Sequence, residues 1–107
     1  MSQRTDKVAN ILKELSANFL ERENNGTSLI TVTRADVSPD LKRGTVYITV
    51  LPDDKEKTAL EFAKRKRGEL RESIKKNMTT KVIPFIEIEI DQGEKNRQKI
   101  DELLREK

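Results

Sequence analysis

Apolar residues enter this chain in bursts of two different periods, and the order of those bursts leaves few folds open. Val8, Ile11, Leu12, Leu15, Phe19 and Leu20 recur at the three-and-four spacing that lays one stripe along a helix, predicting a first helix from Gln3 to Arg22. Asn24-Asn25-Gly26, residues tolerant of positive φ, is expected to stop it. The period then changes to two. Leu29-Ile30-Thr31-Val32-Thr33 and Val46-Tyr47-Ile48-Thr49-Val50-Leu51 are rich in β-branched residues and alternate, which predicts two strands. Between them, Val37-Ser38-Pro39-Asp40-Leu41 joins a serine, a φ-fixing proline and an aspartate able to cap a single turn, the makings of an ordered hairpin loop.

Helical spacing returns after Pro52. Asp53 or Asp54 is expected to cap a helix whose apolar face is Ala59, Leu60, Phe62 and Ala63. Gly68 interrupts that pattern, and Leu70, Ile74 and Met78 resume it, so two helices, or one bent helix, should meet near Arg67-Gly68. Asn77 to Thr80 forms helix poorly and suits an exit. Val82 to Ile90 alternates cleanly, with Pro84 near its start where a missing donor is best tolerated, and gives a third strand. Beyond Asp91-Gln92-Gly93, Ile100, Leu103 and Leu104 in a charged background predict a short terminal helix that frays. The boundaries expected are one domain over residues 1–95 and a C-terminal helix or tail over 96–107.

The order helix, strand, strand, helix, helix, strand describes an α+β domain, a three-stranded sheet covered on one face by helices. Only 34% of the 107 residues are hydrophobic and 38% are charged, so the core has to come from these patterned segments. Phe19, Tyr47, Phe62 and Phe85 are the only aromatic residues. Cysteine and histidine are absent, which removes disulfides, thiolate nucleophiles, imidazole bases and the usual zinc or haem ligands. The segment Met1 to Lys7 lacks the apolar stretch of a secretory signal and nothing approaches membrane-spanning length, so a cytoplasmic protein without membrane contact is expected.

Charge is distributed unevenly. Lys64, Arg65, Lys66, Arg67, Arg71, Lys75, Lys76 and Lys81 face only Glu69 and Glu72 over the same stretch, a local excess of six where the whole chain carries +3. Arg67, Arg71 and Lys75 fall at every fourth position and should form a row beside the buried Leu70, Ile74 and Met78, a row able to follow a phosphate backbone. With no Cβ, Gly68 would let a strand approach the main chain, next to the N–H groups that open the following helix. The plain alternative is a solvated helix face closed by a structural glycine, and most charge runs are that. Charge and bend together favour a nucleic-acid surface. Arg4 and the loop residues Lys42 and Arg43 complete the candidate set.

For catalysis the residues offer little. Glu87, Glu89 and Asp91 share a strand face and could be drawn as metal ligands, but a solvated strand face accounts for them. Ser38 has no histidine to activate it, and no phosphate-cradling glycine loop is present. No catalytic residue, metal or cofactor is expected.

Leu29-Ile30-Thr31-Val32-Thr33, Val37-Ser38-Pro39-Asp40-Leu41, Val46-Tyr47-Ile48, Gly68-Glu69-Leu70-Arg71, Pro84-Phe85-Ile86 with Asp91, and Ile100-Asp101-Glu102-Leu103-Leu104 stand in an order and spacing that resembles the bacterial ribosome-binding factor A family over nearly the whole chain. The resemblance implies a type II KH-like fold. KH domains usually clamp nucleotides with a G-x-x-G loop. The resemblance implies instead a bend at a small-x-Gly element, here Lys66-Arg67-Gly68, with Lys66 where a small residue is usual. It further implies a non-enzymatic, monomeric factor that binds 16S rRNA on the free or immature 30S subunit, assists late maturation and end processing, is linked to growth in the cold, and has an assembly GTPase as a possible partner. The alternative left open by the residues is a module docking on a ribosomal protein or such a GTPase through a strand edge or the terminal helix.

Overall fold

The computed structural model describes residues 3–23, 26, 28–78 and 83–105, with the side chains of Gln3 and Arg4 outside that description. Helix α1 (Gln3–Glu23) carries the expected stripe, burying Val8, Leu12, Phe19 and Leu20 and half-burying Ile11 and Leu15. Asn24 and Asn25, expected to end it, lie outside the described residues, and Gly26 has the positive φ of 83° that suits its type.

Strands β1 (Leu29–Val37) and β2 (Arg43–Leu51) pair antiparallel, from Leu29 opposite Leu51 to Val37 opposite Gly44. Strand β1 runs four residues past the predicted Thr33, because a bulge between Val32 and Arg34 changes its phase. Before the bulge Ile30 and Val32 pack on the core; after it Ala35 and Val37 do. One extra residue thus keeps the apolar side chains on one face although their numbering switches from even to odd. Strand β2 starts three residues ahead of Val46 and turns Val46, Ile48 and Val50 inward. A Cβ on Gly44 would lie 2.8 Å from Leu12 Cδ2, so this glycine sets how closely α1 can rest on β2.

A 3-10 turn (Asp53–Lys55) leads into α2 (Glu56–Arg65) and α3 (Arg67–Asn77). The expected aspartate cap is not formed: no side-chain hydrogen bond caps the turn or α2, and the backbone closes the corner through Lys55 N–H to the Pro52 carbonyl, 3.0 Å. The two helices separate at Lys66, two residues before Gly68. Its N–H is shared between the carbonyls of Phe62 and Ala63 at 3.2 and 3.1 Å.

Strand β3 (Phe85–Ile90) then joins β2 in parallel, giving the sheet order β1-β2-β3. The parallel pairing follows from the connection, since two helices carry the chain back over the sheet before the third strand begins. Helix α1 lies over β1 and β2, α2 over β2 and β3, and α3 against α1 and β3, all on one sheet face. Ala59, Ala63, Leu70, Ile74, Met78, Ile86 and Ile88 complete the core between them.

Helix α4 (Gln92–Arg105) begins ahead of the expected boundary at residue 96 and buries none of its side chains. Its early start comes from Asp91, whose Oδ1 accepts the N–H of Glu94 at 3.0 Å. No helix among the described residues is long and apolar enough to cross a membrane.

Candidate nucleic-acid interface

The expected row exists on α3. Leu70 and Ile74 are completely buried and Met78 nearly so, while Arg67, Arg71 and Lys75 follow one another beside them at the surface. The first two are directed at the free edge of β3. Arg71 Nη2 donates to the Ile83 carbonyl at 3.4 Å, and Arg67 Nη1 reaches both carboxylate oxygens of Glu87 at 3.3 Å.

Local structure brings two further cations to the same place. Ser38 Oγ donates to Asp40 Oδ1 at 2.6 Å, Asp40 accepts the N–H of Lys42, and Ser38 accepts the N–H of Arg43. The Ser38 hydroxyl, and then the Lys42 N–H, hold the Asp40 carboxyl below its usual range, so the loop keeps an ionised brace at neutral pH. Leu41, at φ 62°, drops its side chain into the core and leaves Lys42 and Arg43 exposed. The Lys42 carbonyl accepts Phe85 N–H at 2.8 Å, which fixes the loop against the start of β3.

Phe85 stands at the centre of this arrangement, 54% exposed. One hollow beside it is lined by Lys42, Arg43 and Glu87, another by Arg67, Gly68, Arg71 and Ile86. The Arg67 guanidinium lies 5.8 Å from the centre of the phenyl ring. Neither Phe85 nor Glu87 stands out in the sequence as a binding residue, yet the signal is there. Pro84, Ile86 and Ile88 are buried, so Phe85 shares its parity with Glu87 and Glu89 and has to face outward.

Among the described residues, Lys64, Arg65, Lys66 and Lys76 do not share this surface. Arg65 and Lys76 line a separate hollow on the α1 side of α3, with Arg22, Glu69 and Glu72. Lys64 is exposed on α2. Lys66 is tied into the fold: its ammonium lies 3.6 Å from Glu23 of α1 and 3.4 Å from Glu69. The bend position therefore holds a salt-bridging strut that joins two helices. The side chains of Arg4 and Lys81 lie outside the described residues. Gly68 lines the separate hollow with Arg65 and Lys76 and also the one with Arg67, Arg71 and Ile86, and a Cβ added there would meet nothing within 4 Å. Packing within the protein does not demand a glycine at that point.

Among the described residues, no group of acidic side chains is placed to hold a metal ion. Glu87 is engaged by Arg67. Asp91 is buried, capping α4 and accepting the Thr33 hydroxyl at 2.6 Å.

These features define a class: an α+β KH-like domain with no G-x-x-G loop, whose helix–helix bend and free strand edge enclose cations around an exposed ring. The family model for ribosome-binding factor A matches residues 4–104, and the chain belongs to that family. Ribosome-binding factor A of Macrococcus caseolyticus (strain JCSC5402) is 32% identical over 114 aligned positions that span all of both chains. That of Paenarthrobacter aurescens (strain TC1) is 35% identical over 96% of this chain and 64% of its own. In three dimensions the fold is similar to the crystal structure of ribosome-binding factor A from Thermus thermophilus, with a TM-score of 0.70 at 20% identity over 78% of this chain and 92% of that one. It is also similar to a ribosome-binding factor A model from the same organism, fitted into a cryo-EM map of its complex with the 30S subunit, with a TM-score of 0.63 at 22% identity over 72% of this chain and 84% of that one.

Proposed function

We propose that this protein is a non-catalytic assembly factor that binds 16S rRNA on the free or immature 30S subunit and assists late maturation, including processing of the rRNA ends. It acts in the cytoplasm as a monomer. The observation that carries this reading is the convergence of Arg67, Arg71, Lys42 and Arg43 on one end of β3, where the last three have no ion pair among the described residues. Cations not locked in internal ion pairs are available to neutralise a phosphate backbone, and neutralisation releases counterions. Family membership and the 30S complex of a structural relative support the same partner. Such a factor biases the folding of RNA by binding one conformation better than another, since a ligand shifts an equilibrium only through differential affinity.

The test is co-sedimentation with immature small subunits. Replacing Arg67, Arg71 and Lys75 with glutamate is expected to abolish it while the protein stays folded; undiminished sedimentation would remove this surface from the function.

A second reading is favoured by α4. Its Lys95, Gln98, Lys99 and Glu102 border a crevice with Leu51 and Asp53, whereas Ile100, Leu103 and Leu104 sit roughly 140° around the helix. Those three are 57%, 60% and 66% exposed and point away from the body of the domain. A ribosomal protein or an assembly GTPase is the partner such a stripe would take. Binding to the particle that survives nuclease removal of RNA would support this reading over the first.

A further inference from the structure

The four aromatic rings all lie in described segments, and three of them are buried or half-buried: Phe19, Tyr47 and Phe62. Phe85 alone is exposed. A phenyl group left in water forgoes the burial that makes such residues useful in a small core, and here the cost falls where cations gather. The ring separates two hollows. On one side the Arg67 guanidinium lies near the ring, at 5.8 Å; on the other the hollow is walled by Lys42, Arg43 and Glu87.

We propose that Phe85 is the stacking platform for one unpaired RNA base, seated in the Lys42–Arg43 hollow, and that Glu87 reads the exocyclic amino group of that base. This rests on the RNA-binding reading above and specifies what its site takes. Bases within a duplex already stack on one another and turn their Watson–Crick edges inward, so only a single-stranded nucleotide can use the ring. Lys42 and Arg43 on one side and Arg71 on the other hold the flanking phosphates, and the ring fixes the base between them.

Glu87 supplies discrimination. A carboxylate offers about four acceptor positions. Arg67 approaches its two oxygens from one side through a single nitrogen, 3.3 Å from each. The remaining lone pairs border the hollow that would hold the base. Cytosine presents an amino group there, a donor that a glutamate accepts, whereas uracil presents a carbonyl oxygen that a carboxylate repels. Arg67 is then a positioning residue, because it holds the carboxylate rather than touching the base.

Fluorescence anisotropy tests this with labelled oligocytidine and oligouridine of about ten nucleotides and a duplex of equal length. The wild-type protein is expected to prefer oligocytidine over oligouridine, and both over the duplex. Phe85→Leu keeps the apolar bulk and removes the π face; it should weaken oligocytidine binding about tenfold without changing the salt slope, and Phe85→Trp should restore it. Glu87→Gln should erase the preference for cytidine. Thermal melts confirm that each variant is folded. If Phe85→Leu binds oligocytidine as wild type does while loss of Arg67 and Arg71 still weakens it, stacking is overturned and the RNA reading stands. Equal wild-type affinity for the two oligomers overturns the role of Glu87. Failure of the wild-type protein to bind any of the three RNAs overturns both readings together.

Discussion

Two arginine–aromatic pairs have their rings on the outward face of the sheet, and the fold treats them in opposite ways. Arg34 lies 3.9 Å from the centre of the Tyr47 ring and forms ion pairs with Asp36 at 3.1 Å and Asp91 at 3.4 Å. Asp91 is itself filled: the Thr33 hydroxyl, then the Glu94 N–H, hold its carboxyl below the usual range against the opposing effect of burial. Burial and the neighbouring Asp36 push the Tyr47 phenol above its ordinary value. At the other pair the spacing is 5.8 Å, one acid faces the arginine, and the ring is open. Lys42, Arg43 and Arg71 around it have no ion pair among the described residues. The first pair is consumed in joining β1, β2 and α4. The second leaves its ring open and three neighbouring cations without an ion pair among the described residues, the surface proposed above to take RNA.

If that contrast is right, damage to the first pair should cost stability and damage to the second should cost binding. The largest effect is expected from Asp91→Ala, which removes a helix cap and leaves the Thr33 hydroxyl without its carboxylate; urea unfolding should show a loss of about 3 kcal/mol. The folded fraction should still bind RNA normally. Next, Lys42→Gln with Arg71→Gln should weaken RNA binding and make the dependence of log affinity on log salt shallower by about 1.4, as two lost phosphate contacts on a single strand require. Arg34→Gln should leave that slope untouched. Binding measured across a salt series distinguishes the two outcomes.

A smaller effect with two signs is expected at Gly68. Alanine there meets no atom within 4 Å and should stabilise α3 by about 0.5 to 1 kcal/mol in thermal unfolding. Affinity for RNA should fall, because the methyl group occupies space beside the hollow under Arg67. A gain in both quantities would show that no strand passes close to that backbone.

The smallest effect is that of pH. Asp91 and Asp40 are held below their usual range when folded, so the native state binds fewer protons than the unfolded chain near pH 4. Their contribution is complete above the unfolded value of about 3.9 and is lost as pH falls through it toward the folded values. Unfolding midpoints should therefore drop below about pH 4. RNA affinity should stay flat from about pH 6 to 8, since the chain contains no histidine.

The sequence makes the helices and the inward faces of the strands legible because those depend on local periodicity. Val8, Leu12, Phe19 and Leu20 announce α1, and Leu70, Ile74 and Met78 announce the buried side of α3. The row of Arg67, Arg71 and Lys75 follows by geometry. Features that depend on distant partners are not legible in the same way. Lys66 reads as one more surface cation, and only the arrival of Glu23 from α1 turns it into a strut. The true end of β1 is hidden because the alternation changes phase at Thr33. The early start of α4 depends on Asp91, whose other carboxylate oxygen accepts the Thr33 hydroxyl across the sheet. Phe85 was within reach of parity, but the four neighbouring cations that give it meaning come from a loop and a helix far away in the chain.

The additional residue at Thr33 also protects the margin of the sheet. Among the described residues strand β1 has a neighbour on one side only, and a straight nine-residue run with two apolar sectors would invite a strand from another molecule to continue the ladder. By twisting the strand and interrupting its row of donors and acceptors, the irregularity makes that margin a poor template. In a chain with so slender a core, a long outer strand of this kind offers little continuous ladder for a further strand to extend.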